Sequence, residues 1–240
     1  MKVKVWINSK SSKRTGCVVC GKPIEYRTEI TVYTCHLCKK RYESNAVCEN
    51  GHYVCDKCHS SALSDFLRFL CDNDEKDPIA LFQQVAELKS VHMHGPEHHS
   101  IVPCVMLAAY RNNGGVIDFV PAIETAIKRG GQIPGGTCGY WGACGAAIGA
   151  GIYASILTGS TPLNAEVWNY PQLLTARCLT RIAELGGPRC CKRTSRAAIE
   201  TAAQFTQEHM GIDIPVRRMP CNHFEKNREC IRTRCPYYGE

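Results

Sequence analysis

Cys48-Glu49-Asn50-Gly51-His52-Tyr53-Val54-Cys55-Asp56-Lys57-Cys58 is the stretch on which the reading of this chain turns. A Cys/His pair runs straight into a Cys-x-x-Cys pair. Short loops of this kind aim two ligands at one point, and a second pair closes a tetrahedral site. Two more pairs lie upstream, Cys17-x-x-Cys20 and Cys35-x-x-Cys38. Eight ligands predict two closed, structural Zn²⁺ sites. The pairing has two solutions. Sequential pairing gives Cys17/Cys20/Cys35/Cys38 and Cys48/His52/Cys55/Cys58. Interleaved pairing gives Cys35/Cys38/Cys55/Cys58 and Cys17/Cys20/Cys48/His52. Residues 1–60 otherwise hold short β-rich pieces, such as 29–33, and little that forms a core, so metal would supply the missing stabilisation.

The stretch resembles the middle of cross-brace RING-type fingers, in which the Cys/His pair belongs to a different zinc from the Cys-x-x-Cys that follows. That resemblance favours interleaving. It does not assign a function, because closed four-ligand sites are structural by default.

The chain of 240 residues has room for one large domain or two small ones. Its apolar fraction of 44 % and charged fraction of 21 % are those of a globular protein. Seventeen cysteines are the anomaly. The opening MKVKVWINSK has no apolar leader, so the thiols are read as metal ligands in a reducing, cytoplasmic setting rather than as disulfides. The longest charge-free stretch is too rich in glycine and too short in its apolar part to span a bilayer, so no membrane partner is expected. Net charge is +7, and residues 1–60 hold 11 Lys/Arg against 5 Asp/Glu. A basic N-terminal module permits tRNA or another nucleic acid as a partner without demanding one.

Helical periodicity begins at residue 61, with helices expected over 61–71, 78–89, 100–110, 118–128, 144–157, 163–185 and 195–210. Pro171 should bend or split the sixth. The fold expected is a small β-rich double zinc module (1–60), a mainly α-helical domain (61–211) and an irregular cysteine-rich tail (212–240) packed on the helices.

Beyond the zinc ligands, four constellations carry chemistry. His92-Met-His94-Gly-Pro-Glu97-His98-His99 suits proton transfer or a metal with open positions, and the Gly95-Pro96 turn lets His94 and His98 converge. In the second, a glycine loop containing Cys138 feeds a helix with Cys144 near its N-terminus, where unpaired N–H groups favour a thiolate. Gly145 and Gly149 leave that helix flat on one face. In the third, Cys190 and Cys191 sit among Arg189, Lys192 and Arg193, which should lower their pKa. Cys221, Cys230 and Cys235 suit a [4Fe–4S] cluster completed by Cys138, Cys144, Cys190 or Cys191, or with one iron open. His223 offers a Cys₃His zinc site as the alternative. Cys71 and Cys178 read as inert core residues.

Together 92–99 (HMHGPEHH), 134–151 (PGGTCGYWGACGAAIGAG), 161–163, 186–193 (GGPRCCKR) and 221–235 resemble a family of cysteine-rich bacterial and archaeal proteins known as a domain of unknown function. Some members carry a methyltransferase label, because the domain can follow a methyltransferase domain. This chain has no Gly-x-Gly-x-x-Gly after a predicted strand, so that activity is not implied here. Cys144-Gly-Ala-Ala-Ile-Gly149 is also similar to the Cys-Gly-Ala-x-x-Gly signature of a redox-active helical family. The function expected is Fe–S-dependent sulfur transfer or thiol-based redox chemistry. Cys144, Cys190, Cys191, His94, Glu97 and His98 would be catalytic, and a redox or sulfur-donor protein would be the partner. The alternative is a non-enzymatic, zinc-stabilised RNA- or protein-binding module.

Overall fold

A computed structural model describes residues 16–17, 19–20, 22–36, 38–59 and 69–239. The helix expected over 61–71 falls largely outside the described residues, and 69–71 are helical.

The N-terminal part is one antiparallel hairpin, β1 (Ile24–Thr34) and β2 (Arg41–Cys48). Ile24 pairs with Cys48 and Thr34 with Arg41, with an irregularity between Tyr26 and Thr31. Two matching turns hold the cysteine pairs. Cys17 N–H donates to Lys22 O at 2.7 Å, and Cys35 N–H donates to Lys40 O at 2.8 Å. A single turn, α1 (Asp56–His59), closes the module. Among its described residues, the buried hydrophobic ones are four cysteines and Val47.

Among the described residues, the longer elements that follow are α2 (Pro78–Ala86), α3 (Glu97–Asn112), α4 (Phe119–Gly130), α5 (Thr137–Tyr140), α6 (Gly145–Thr158), α7 (Asn169–Leu185) and α8 (Cys191–Met210). The tail contains two short 3₁₀ turns, Phe224–Lys226 and Arg232–Arg234. No helix among the described residues is long and apolar enough to cross a membrane.

α3 is the hub. It is buried from Glu97 to Ala109 and packs against α2, α4, α6 and α8. Pro103 lies inside it and withholds the N–H that would bond the His99 carbonyl. α6 crosses at that point, and its glycines make the approach possible. A Cβ on Gly149 would lie 2.6 Å from His99 O and 2.9 Å from Pro103 Cδ, and one on Gly145 would collide with the His99 ring. Gly149→Ala should therefore cost about 1–3 kcal/mol and lower the melting temperature by several degrees. An unchanged melting temperature in a calorimetric scan would show that the two helices can move apart freely.

Several sequence expectations are corrected in detail. α2 stops at Ala86, short of 89, and α3 begins at Glu97, placing Glu97, His98 and His99 on its first turn. The helix expected from 163 starts at Asn169. Pro171 then falls in its first turn, where backbone N–H groups have no helical partner, and it causes no break. The helix expected from 195 starts at Cys191, because Cys190 caps it by accepting the Arg193 N–H at 3.5 Å. Lys192 and Arg193 are thus buried helical residues rather than loop cations. Asp77 caps α2 as expected, accepting from Ile79 N–H at 2.8 Å. Its other oxygen accepts from the Arg217 backbone N–H at 3.0 Å, which anchors the tail.

Candidate functional site

Among the described residues, three groups bring candidate ligand atoms within 4.8 Å of one another: Cys17/Cys20/Cys48/His52, Cys35/Cys38/Cys55/Cys58 and His59/His92/Glu97. The first two are the interleaved pairing. A tetrahedral ion with bonds near 2.3 Å sets its thiolates about 3.8 Å apart. Cys38 and Cys55 Sγ are 3.8 Å apart, Cys20 and Cys48 Sγ 3.9 Å, and Cys17 Sγ lies 3.9 Å from His52 Nδ1. Both sets can therefore hold a metal such as zinc. The backbone N–H of Lys22 draws the Cys20 thiol down to about 7, and that of Lys40 lowers Cys38 in the same way.

The tail cysteines meet elsewhere. Cys221, Cys230 and Cys235 line a small cavity with Cys190, beneath the N-terminus of α8. No three of these four thiols fall within single-ion spacing, and His223, buried beside them, does not complete a set. Backbone N–H groups two residues on donate to two of the sulfurs, His223 to Cys221 and Arg232 to Cys230, each at 3.4 Å. Asn227 Nδ2 donates to Cys190 Sγ at 3.4 Å. Lys192, Arg193 and Arg196 also line the cavity, each at most 3 % exposed. Arg196 is secured by the carbonyls of Met219, at 2.6 Å, and Pro220, at 3.3 Å. Donors to sulfur and buried cations are what an anionic group there requires.

A cleft of about 1000 Å³ lies between the zinc-type module and the helices. Cys138, Cys144, Cys190, Cys191, His94, His98 and His99 all line it. Two contacts hold its walls together. Asp56 Oδ2 accepts from Gly135 N–H at 3.0 Å, and Arg189 donates to Tyr26 OH at 2.5 Å with its guanidinium over the Tyr26 ring. Cys144 is the N-cap residue of α6, and Cys138 is exposed. The low pKa expected at Cys190 and Cys191 is not found. Burial raises both, Cys191 to about 12, and outweighs the lowering by Arg193 at Cys190 and by Arg189 at Cys191. Cys178 is buried in the core, and Cys71 is half-buried.

The histidine cluster divides. His94 Nε2 faces Asn227 Oδ1 at 3.1 Å and Glu229 Oε2 at 3.3 Å, and this bond pulls the Glu229 carboxyl down to about 2. His98 accepts from the Lys192 ammonium at 3.0 Å and donates from Nδ1 to Gly95 O at 3.1 Å. Burial first, and then Lys192, keep His98 neutral. Glu97 Oε1 comes to 3.9 Å from His98 Nδ1, but its hydrogen bonds go to His59 and His92. The nearest hydrogen-bond partners of His94, Glu97 and His98 therefore differ.

Residues 66–238 match the model of a family of unknown function, DUF5714. The chain belongs to this family. Searches of curated proteins and of solved structures found no match. The DUF5714 part contains the tail cavity and every thiol of the cleft except Cys17, while the hairpin module that walls the other side lies before it.

Three participating residues were missed or left without a role by the sequence reading. His59 was hidden by its neighbour Cys58, and His92 was seen but given no role. Arg196 could have been found only by placing it on the buried face of α8, which also carries Lys192, read from the sequence as a loop cation.

Proposed function

We propose that this chain is a metalloprotein with two structural Zn²⁺ ions in its hairpin module and a [4Fe–4S] cluster on Cys190, Cys221, Cys230 and Cys235. The observation that carries the reading is the tail cavity. Its four thiols are spaced too widely for one ion, and buried Lys192, Arg193 and Arg196 surround them. A cubane spreads its thiolates farther apart than a single ion does and carries net negative charge, so it fits both features. When bound, the cluster supplies one-electron transfer.

Four protein thiols leave no iron position for substrate, which favours thiol redox over sulfur transfer at an open iron. Cys191 follows the ligand Cys190 directly and faces the cleft near Cys144, which in turn lies near Cys138. These thiols would form and break the disulfide. Two electrons and two protons turn one disulfide into two thiols, and the electrons would come singly from an external redox protein. His94, hydrogen-bonded at Nδ1 by the Cys191 N–H at 3.5 Å, fixes that backbone.

The cleft rim supports a second reading, RNA binding. Tyr140 and Trp141 stand 52 % and 67 % exposed there, close to Arg189.

The test is anaerobic purification with iron and acid-labile sulfide analysis and a visible spectrum. About four iron and four sulfide per chain are expected. Each of Cys190→Ser, Cys221→Ser, Cys230→Ser and Cys235→Ser should lose them while keeping the module's zinc. A colourless wild-type protein after attempted reconstitution overturns the cluster. RNA affinity that falls steeply with salt would then favour the second reading.

A further inference from the structure

Three donor groups from two separate parts of the chain meet beside the cleft, outside both kinds of cysteine site. His59 ends α1, one residue after the ligand Cys58, and lines the cleft. His92 and Glu97 bracket the turn that leads into α3. His59 Nδ1 lies 2.9 Å from Glu97 Oε2, His92 Nδ1 lies 3.2 Å from Oε1, and the two imidazole centroids are 4.2 Å apart. Their side chains are 14 %, 23 % and 2 % exposed for His59, His92 and Glu97. Gly95 makes room for them, since a Cβ there would collide with Glu97 Oε2 and His59 Cε1. A further donor fixes the carboxylate, the His92 backbone N–H at 2.9 Å from Oε1.

We infer that His59, His92 and Glu97 form a third metal site, for a divalent first-row transition ion such as Zn²⁺ or Fe²⁺, with its remaining coordination position facing the cleft. Three ligand atoms within 4.8 Å are a partial shell, and two imidazoles with one carboxylate are the donor set of sites that keep a position open. The set contains no thiolate, so it differs in softness from the eight-ligand module and need not compete with it for the same ion. Buried Glu97 supplies the negative charge that an ion requires there. The site also joins the two parts of the molecule. Metal in the hairpin module fixes Cys58, which sets His59 against the helical domain, so a complete third site forms only when the module is loaded. An ion at this place would bind an oxygen or nitrogen donor of whatever enters the cleft.

The site shares no residue with the tail cavity, so it stands or falls separately from the cluster. The test is equilibrium dialysis of the full chain against micromolar Zn²⁺, using a Cys221→Ser background to keep zinc out of the tail cavity. That protein should bind three equivalents, and the same protein with His92→Ala or Glu97→Gln should bind two. Equal stoichiometry in all three, with the variants folded, overturns the site. If those variants fail to fold, Co²⁺ added to the Cys221→Ser protein reads the same question. A third equivalent that adds ligand-field bands without thiolate-to-cobalt charge transfer supports the site, and saturation at two equivalents overturns it.

Discussion

Replacing Cys55 with serine should unfold residues 16–59 and leave the helical part standing. Among the described residues of that range the buried hydrophobic positions are Cys17, Cys35, Val47, Cys48 and Cys55, and nearly all of β1 is exposed. A two-stranded hairpin with that little apolar burial is marginal at best on its own. Structural zinc contributes about 10–16 kcal/mol in modules of this type, far more than one valine can. Cys55 lies at the middle of its set, with Sγ 3.8 Å from Cys38 Sγ and N–H donating to Cys35 Sγ at 3.4 Å. The interleaved pairing spreads the damage, because the two sets alternate along the chain and losing either frees loops of both. The cleft should open at the same time, since Asp56 and Tyr26 hold its far wall. The core around α3 draws on Leu70 and later residues, so helical circular dichroism should persist. Hydrogen exchange read by peptide mapping checks this. Rapid exchange confined to 16–59 is expected, and a module that stays protected in Cys55→Ser would mean that metal does not hold it.

The hairpin module was the most legible part of the sequence because its spacing is the chemistry. Four ligand pairs allow two pairings, and the turn geometry at Cys17 and Cys35 places the first pair against Cys48/His52 and the second against Cys55/Cys58. Helix existence was legible from periodicity, while helix starts were not. α8 shows why. Lys192 and Arg193 read as loop cations that lower the pKa of a cysteine pair, and Arg196 was not read at all, yet the helix buries all three. Charge in a sequence reports polarity, but burial depends on which partners the tertiary fold supplies. The same limit applies to Glu97. Its neighbours in sequence are His98 and His99, but its hydrogen-bond partners are His92 and His59, the latter 38 residues away. Gly145 and Gly149 were readable because a missing Cβ has one geometric meaning, and their contact with His99 follows it. The convergence of Cys190 with three tail cysteines could only be offered as one of several choices, since it depends on how the tail returns across α8.

Lys192→Met should shift the stability of the cluster-loaded and cluster-free proteins in different ways. Lys192 is 1 % exposed, and its ammonium donates to His92 O at 2.9 Å and to His98 Nε2 at 3.0 Å. Burying a full charge costs several kcal/mol unless the surroundings compensate it, and an anionic cluster in the adjoining cavity would add to that compensation. A unit charge a few ångströms away in a protein interior is worth about 2–4 kcal/mol at an effective dielectric near 20. Methionine keeps most of the side-chain volume and removes that attraction. Iron release to a chelator, measured anaerobically, should then quicken by roughly thirtyfold to nearly a thousandfold. The cluster's reduction potential should fall, because a lost cation disfavours the added electron. Without the cluster that added attraction is absent. Loss of the hydrogen bond to His98 and relief of the buried charge then oppose each other, so the melting temperature of the cluster-free protein should hardly change. A purely structural lysine would destabilise both forms equally. Equal losses in both forms, with an unchanged potential, would remove the electrostatic role of α8 and with it the main argument for an anion in that cavity.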